Sequence, residues 1–536
     1  MPQGDANGSG SPRWRRRSTL VLAMAGGAAG LGGLVLLPAQ SARHGGAAFM
    51  AAYFALLLLL GLPLLWVEWT LGRRGGTLGY SSLPGMLQSL SRARGVRYAG
   101  ALGVALPLVL AIVVVSLQAW AAGHAFDAFT GALPAGGADR HLQAFLGTDG
   151  GFLGQPGWRG SPALYAFFAL TLAADLWLLL RGPLAGLAAA ASVALPVALL
   201  AALLLAASAA WLPETAGRQP SEGLLQGWAP GWQALFSADA DALWSAAAGL
   251  VLLTLGLGIG AVPTLAAPLR EGDDIPLTSL ASASIGQLLA VVFGGLLLLP
   301  AAFVVLGPEG LQRSAGDVTT LAFVAVPAAF GGATVPGLGG AAGAAVLGGL
   351  WFTLLFALLL LSALALCLPA VTFLRDAMGL SHRRAVAVVG LLVAVGSQPA
   401  LLLSGVLREL TYWVRWPGLP LLALLEVLLL VLAFGSRRGW DHLHRGAALR
   451  IPRSYRFVLT FLTPLLLLAT LARWAWREAG PVLRQQVGPD GQPYPGGTER
   501  NALLARGMIL AVLALFTAFV AVASRRGHFR PFDPSR

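Results

Sequence analysis

The chain has 536 residues, of which 57% are hydrophobic and only 11% charged, and its mean hydropathy is +0.73. That balance excludes a string of ordinary soluble domains and makes lipid the main solvent. A formal charge of +13 would suit nucleic acid on a soluble protein, but all 36 basic residues are Arg and they flank apolar runs, so no nucleic-acid partner is expected.

Residues 1–17 read as a cytoplasmic tail carrying Arg13, Arg15, Arg16 and Arg17. The basic start and the apolar stretch after it resemble a secretory signal, but no clear cleavage site follows, so the stretch is read as a retained first span. Apolar runs near twenty residues then recur, each able to cross about 30 Å of hydrocarbon at about 1.5 Å per residue. They predict helices over 18–38, 47–71, 98–128, 162–180, 183–211 and 241–268, then 277–306, 342–373, 383–405, 413–435, 456–476 and 502–524. Open strands are excluded, because their backbone groups would go unsatisfied in lipid.

The fold class expected is therefore an all-α polytopic membrane protein of about twelve transmembrane helices. The transmembrane unit covers 18–524, and 525–536, with Arg525, Arg526 and Arg530, form a second tail. Roughly two thirds of the arginines fall on the side of both termini, which places that side in the cytoplasm. Gly/Pro-rich stretches at 129–161 and 212–240 suit outside loops, and the semi-polar stretch 307–341 is expected to fold back over the outer face. Abundant Ala, Gly and Arg without Lys point to a GC-rich bacterial genome, hence to a bacterial inner membrane.

Two glycine clusters interrupt these runs. Span one holds Gly26, Gly27, Gly30, Gly32 and Gly33, and span six holds Gly256, Gly258 and Gly260. Each glycine costs a helix interior about 1 kcal/mol relative to Ala, so the clusters argue for two broken helices. Matching breaks in two halves point to an inverted-repeat transporter with its site at mid-membrane. Close helix packing through small residues is the alternative use of the same glycines.

Three acids lie inside apolar runs: Glu68 in span two, Glu426 in span ten and Asp175 in span four. An acid at mid-span costs at least about 2.5 kcal/mol and normally has an interior partner. For Glu68 and Glu426 the expected partners are free backbone N–H groups at the breaks, with a proton-carrying role as the alternative. Asp175, nearer the cytoplasmic end, is expected to reach water. The single cysteine, Cys367, rules out an intrachain disulfide and reads as a small core residue. His442 and His444 are too close in sequence to share a helix face and read as a solvated cytoplasmic loop.

The residues Leu22 to Gly26, Gly30 to Gly32, Pro38 and Gly45 to Phe49, followed by Gly61 to Arg73, resemble spans one and two of the neurotransmitter:sodium symporters. The similarity continues through Thr254, Leu255, Leu257 and Gly258, through Leu350 to Phe352 with Pro369 and Asp376, and through Trp440 to Arg453. The resemblance implies a five-plus-five inverted repeat, with first repeat 18–211, second repeat 241–435 and last two spans 456–524. It further implies broken helices one and six, alternating access, and sodium-coupled uptake of an amino acid or amine.

It also implies where function should sit. Of the first sodium site only Thr254 keeps a side-chain oxygen, because Gly33 and Gly286 stand where the family has asparagine. The second site keeps the backbone carbonyls of Gly26, Ala29 and Leu358 and the hydroxyl of Ser362, but loses a hydroxyl at Leu361. The substrate positions are Gly26, Leu31, Gly32, Leu110, Val114, Leu253, Gly256, Ile259, Ser362 and Leu366, an apolar set lacking the family's carboxylate-binding tyrosine at Val114. The external gate pair maps to Leu36 and Thr411, which carry no charge, and Ala290 gives no sign of chloride dependence. Trp14 and neighbouring arginines are expected to close the cytoplasmic side on Asp376. No cofactor is expected, sodium coupling is expected to be weakened or lost, and the expected partners are membrane lipid and a small solute. A non-transporting sensor, regulator or partner subunit on the same scaffold is the second reading. A membrane enzyme is third, because no motif unites a nucleophile, a base and an orienting group.

Overall fold

The structure, a computed structural model, describes residues 14, 17–28, 30, 32–133, 137–148, 160–333, 340–488, 494 and 498–529. Span one is a bent pair, α1 (Arg17–Ala28) and α2 (Gly32–Arg43), whose axes diverge by 57°. Long helices follow as α3 (Ala47–Thr77), α4 (Val96–Phe129), α5 (Pro162–Leu180) and α6 (Ala185–Ser208). Span six is again two pieces, α7 (Ala240–Leu255) and α8 (Ala261–Ala266). The chain continues as α9 (Ile275–Arg313), a short apolar α10 (Thr320–Phe330), α11 (Gly340–Asp376) and α12 (His382–Leu402). It ends with α13 (Val406–Leu443), α14 (Ser454–Leu483) and α15 (Glu499–Arg525).

Ten helices among the described residues are long and apolar enough to cross a membrane, and the bent first pair makes eleven. The α7/α8 pair occupies the stretch predicted as span six, and counting it as a crossing recovers the twelve. Local chemistry explains several starts. Ser161 Oγ accepts from Leu164 N ahead of Pro162, Asp274 Oδ1 accepts from Leu277 N ahead of α9, and Ser381 Oγ accepts from Arg384 N at the head of α12. Each cap satisfies an N–H that the helix itself cannot.

Lipid replaces water outside, so the apolar residues face both ways. Leu170, Val193, Leu200 and Leu432 point outward, while Trp69, Trp120, Trp351 and Phe373 are fully buried. The inner packing wraps α1, α7 and α8 with α3, α6, α9 and α11. The stretch predicted to fold back delivers α10, whose Leu321, Phe323 and Val326 are buried. Trp351 Nε1 on α11 donates to Ala322 O at 2.8 Å and ties α10 to the bundle.

Candidate functional site

Span six breaks because three glycines adopt left-handed backbone. Gly256, Gly258 and Gly260 have φ of +65°, +69° and +93°, a region that costs other residues roughly 1–2 kcal/mol. The broken turn leaves N–H groups without helical partners. One of them, Gly258 N, donates to Glu68 Oε1 at 2.6 Å. Glu68 is fully buried on α3, so this hydrogen bond holds the break open in the interior of the bundle.

Glu426, fully buried on α13, departs from expectation. Neither of its oxygens meets a donor, and its carboxyl faces that of Glu68 within hydrogen-bonding reach. Two carboxyls can join only through a shared proton, so the second acid completes a pair with the first instead of binding backbone at a break.

The two breaks lie against each other. A Cβ on Gly32 would stand 2.3 Å from Leu253 Cδ2, one on Gly33 would stand 3.0 Å from Ala290 Cβ and 3.4 Å from Thr254 Cγ2, and one on Gly256 would stand 3.4 Å from Ala28 Cβ. Only glycine lets spans one and six approach so closely. Ser362 Oγ on α11 donates to Gly27 O at 3.4 Å and joins that helix to the first break. Leu110 and Val114 on α4 and Leu366 on α11 stand on two helices packed along each other, and Leu110, Ile259 and Leu366 are buried. Ala29 and Leu31, assigned to the sodium and substrate sets, lie outside the described residues.

The residues expected to line the ion sites make the following contacts. At the second site a Cβ on Gly26 would meet Leu361 Cδ1 at 2.3 Å, so the Leu361 side chain packs directly on Gly26 in the last turn of α1, ahead of the break. Leu358, beside it on α11, is fully buried. At the first site the Thr254 hydroxyl lies 2.7 Å from Tyr53 Oη and accepts from Gln287 Nε2 at 3.4 Å, and Tyr53 Oη donates to Gln287 Oε1 at 2.8 Å. A cavity lined by Met24, Ala28, Trp69, Thr254, Ser282 and Gly286 has room for about one water molecule. Tyr53 and Gln287 were not singled out from the sequence. The signal that could have found them is a polar tip isolated in each of two apolar runs.

At the outer face, the uncharged Thr411 bonds within its own helix, to Leu407 O at 2.8 Å. The charges stand elsewhere. Arg506 of α15 pairs with Glu409 of α13 at 3.3 Å, both largely buried, and Tyr494 donates to the same carboxylate. Arg473 of α14 joins Asp241, in the first turn of α7, at 3.1 Å and Glu478 at 2.7 Å.

Trp14 and Asp376, expected to close one side together, make these contacts among the described residues. Trp14 Nε1 donates to Leu265 O on α8 at 3.1 Å, and Arg17 reaches Asp273 at 3.7 Å. Among the described residues Asp376 meets Arg375 of its own helix at 3.8 Å. Its expected partners Arg13, Arg15 and Arg16 lie outside the described residues. The tail thus meets the inner half of span six, because Leu265 O lies in the last turn of the short α8, where a carbonyl lacks a helical donor. His444 bonds Trp440 O and accepts from Ile451 N, as a loop-bracing histidine does, and no group of three metal ligands occurs among the described residues.

The family model of the sodium:neurotransmitter symporters matches residues 11–143 and 190–515. The chain belongs to the sodium:neurotransmitter symporter family. As a symporter-family member it is a multi-pass membrane protein, in a family of transporters and not of enzymes. It superposes on the solved structure of MhsT in complex with L-phenylalanine with a TM-score of 0.71 at 22% identity, covering 86% of this chain and 99% of that one. Among curated relatives, it is 30% identical over 159 residues to the Homo sapiens sodium- and chloride-dependent GABA transporter 2, and 32% identical over 135 residues to the Homo sapiens sodium- and chloride-dependent taurine transporter. The matched segments are 28% and 25% of this chain and span 25% and 21% of those relatives' lengths.

The paired breaks give this symporter-family chain a further test. A Cβ on Gly32 meets only the far end of Leu253, so Gly32→Val is expected to displace that side chain without unfolding the protein. The variant should purify normally and lose stabilisation by any ligand that stabilises the wild type. Retained stabilisation would place the ligand away from the breaks.

Proposed function

We infer that the protein is a secondary transporter of a small organic solute of the amino-acid or amine class, working by alternating access with sodium coupling weakened or lost. The membrane assigned to it is a bacterial inner membrane, with both termini cytoplasmic. Family membership supports transport, and the solutes named for relatives and neighbour (GABA, taurine and L-phenylalanine) support the solute class. The observation that carries weakened coupling is the Leu361 side chain on Gly26. A hard cation requires several oxygen ligands, and an aliphatic side chain at that point supplies none while filling the space.

Three features support a pocket for a small, mostly apolar solute: the apolar walls, the glycines that admit close approach, and the helix ends at the breaks. Free N–H groups at such ends attract a carboxylate. The decisive experiment is thermal stability of the purified protein against a panel of amino acids and amines, each in sodium and in choline. A ligand shift indifferent to sodium supports the proposal, whereas a shift that grows with sodium restores ordinary symport. Leu361→Thr is expected to introduce sodium-dependent stabilisation by returning an oxygen and vacating carbon, and indifference to sodium in that variant would show that the site geometry has gone. Binding without flux in proteoliposomes would favour the sensor or partner-subunit reading, for which the Leu361 side chain packed on Gly26 also speaks.

A further inference from the structure

Asp175 does not reach water as expected. It stands on α5 about a turn and a half from the helix end at Leu180 and is only 2% exposed. Gln118 Nε2 on α4 donates to Asp175 Oδ1 at 3.1 Å, and Gln118 is itself fully buried. The two remaining oxygens of the pair, Gln118 Oε1 and Asp175 Oδ2, meet no donor. An ionised carboxylate held by one amide hydrogen in an apolar interior is costly. A single proton on Oδ2, donated to Gln118 Oε1, closes an amide–acid ring and satisfies both oxygens at once.

We propose that Gln118 and Asp175 form a proton-binding site, and that its proton is the coupling ion of transport. The second half rests on the transport reading above. The pair stands on helices that also carry pocket positions or pack against them: Gln118 lies one turn beyond Val114 on α4, and α4 packs against α5 and α11. Release of the proton to cytoplasmic water turns Asp175 from acid to carboxylate and leaves two acceptors confronting each other across α4 and α5. Their repulsion loosens the contact between those helices and moves a pocket wall, so proton occupancy and pocket shape change together.

The charged neighbours are few. On α11, Cys367 is buried within electrostatic range of the carboxyl, and Arg375 and Asp376 lie at that helix's cytoplasmic end. α6 carries no titratable side chain, and those of α4 lie toward its two ends: Arg97 and Tyr98, His124 and Asp127. From α12, His382 Nε2 meets Leu179 O at 2.9 Å at the cytoplasmic end, where Arg383 and Arg384 also stand.

Two measurements on the full-length protein test the two halves separately. Infrared difference spectra of wild type against Asp175→Asn should show a protonated-carboxyl C=O stretch present only in the wild type, sensitive to deuterated water and falling as pH rises. No such difference at neutral pH overturns the site. Gln118→Leu, which keeps the acid and removes its amide partner, should shift the same stretch, and it serves if Asp175→Asn does not fold. In proteoliposomes given a radiolabelled pool of neutral amino acids and amines, the wild type should accumulate label under an inward proton gradient. Asp175→Asn should keep exchange but lose accumulation at least about tenfold. Equal accumulation by the variant overturns the coupling role. Absence of both exchange and accumulation in the wild type overturns the transport reading itself and leaves the infrared result to decide the proton site.

Discussion

Glu68→Leu is expected to lower the yield of folded protein and to destabilise what remains by about 1–3 kcal/mol, the cost of a buried N–H left without a partner. Gly258 N has Glu68 Oε1 as its acceptor at 2.6 Å, and leucine offers no acceptor. The loss has a second part, because Glu426 would then face an aliphatic side chain and lose its pairing with the Glu68 carboxyl. Glu68→Gln separates charge from hydrogen bonding. Its amide oxygen can accept from Gly258 N and its amide nitrogen can donate to Glu426, so this variant should match or exceed wild-type stability. Thermal unfolding in detergent, with yield after size exclusion, reads both variants. A leucine variant as stable as the wild type would mean that the span-six break is supported by other groups.

Gly258→Ala is expected to be more damaging still. The φ of +69° costs a non-glycine residue roughly 1–2 kcal/mol. The added Cβ would also stand 2.3 Å from Leu419 O, a backbone atom of α13 that cannot rotate away, and overpacking of that kind costs about 1–3 kcal/mol. Gly405→Ala is the control, because Gly405 has a φ of +84° with nothing within 4 Å of its Cβ position. It bears the dihedral cost alone, so the difference between the two variants in thermal unfolding measures the contact between α13 and the break. Equal destabilisation would show that α13 yields freely there.

Both predictions concern glycines and acids visible in the sequence, which shows how far such a reading carries. The spans were legible because lipid demands long apolar helices whatever packs around them; Pro162–Leu180 occupies the stretch predicted. The breaks were legible because a run of glycines in a helix is costly without a reason. Within the candidate site, the approach of Gly32 to span six follows from the same glycines.

Other features depended on neighbours distant in sequence. Tyr53, Thr254 and Gln287 come from three different helices, and no local pattern says that a lone tyrosine and a lone glutamine will share one hydroxyl. Asp175 has a place in the sequence that suggests water, yet Gln118, on another helix, shields it. Trp14 found Leu265 because α8 is short and ends there. Sequence alone thus determined the solvent, the helical class, the crossings and the two weak points, since each follows from local composition and backbone physics. Only tertiary structure decided which polar groups meet and that the Leu361 side chain packs on Gly26, because hydrogen bonds and packing in the interior are set by how the helices are arranged in space.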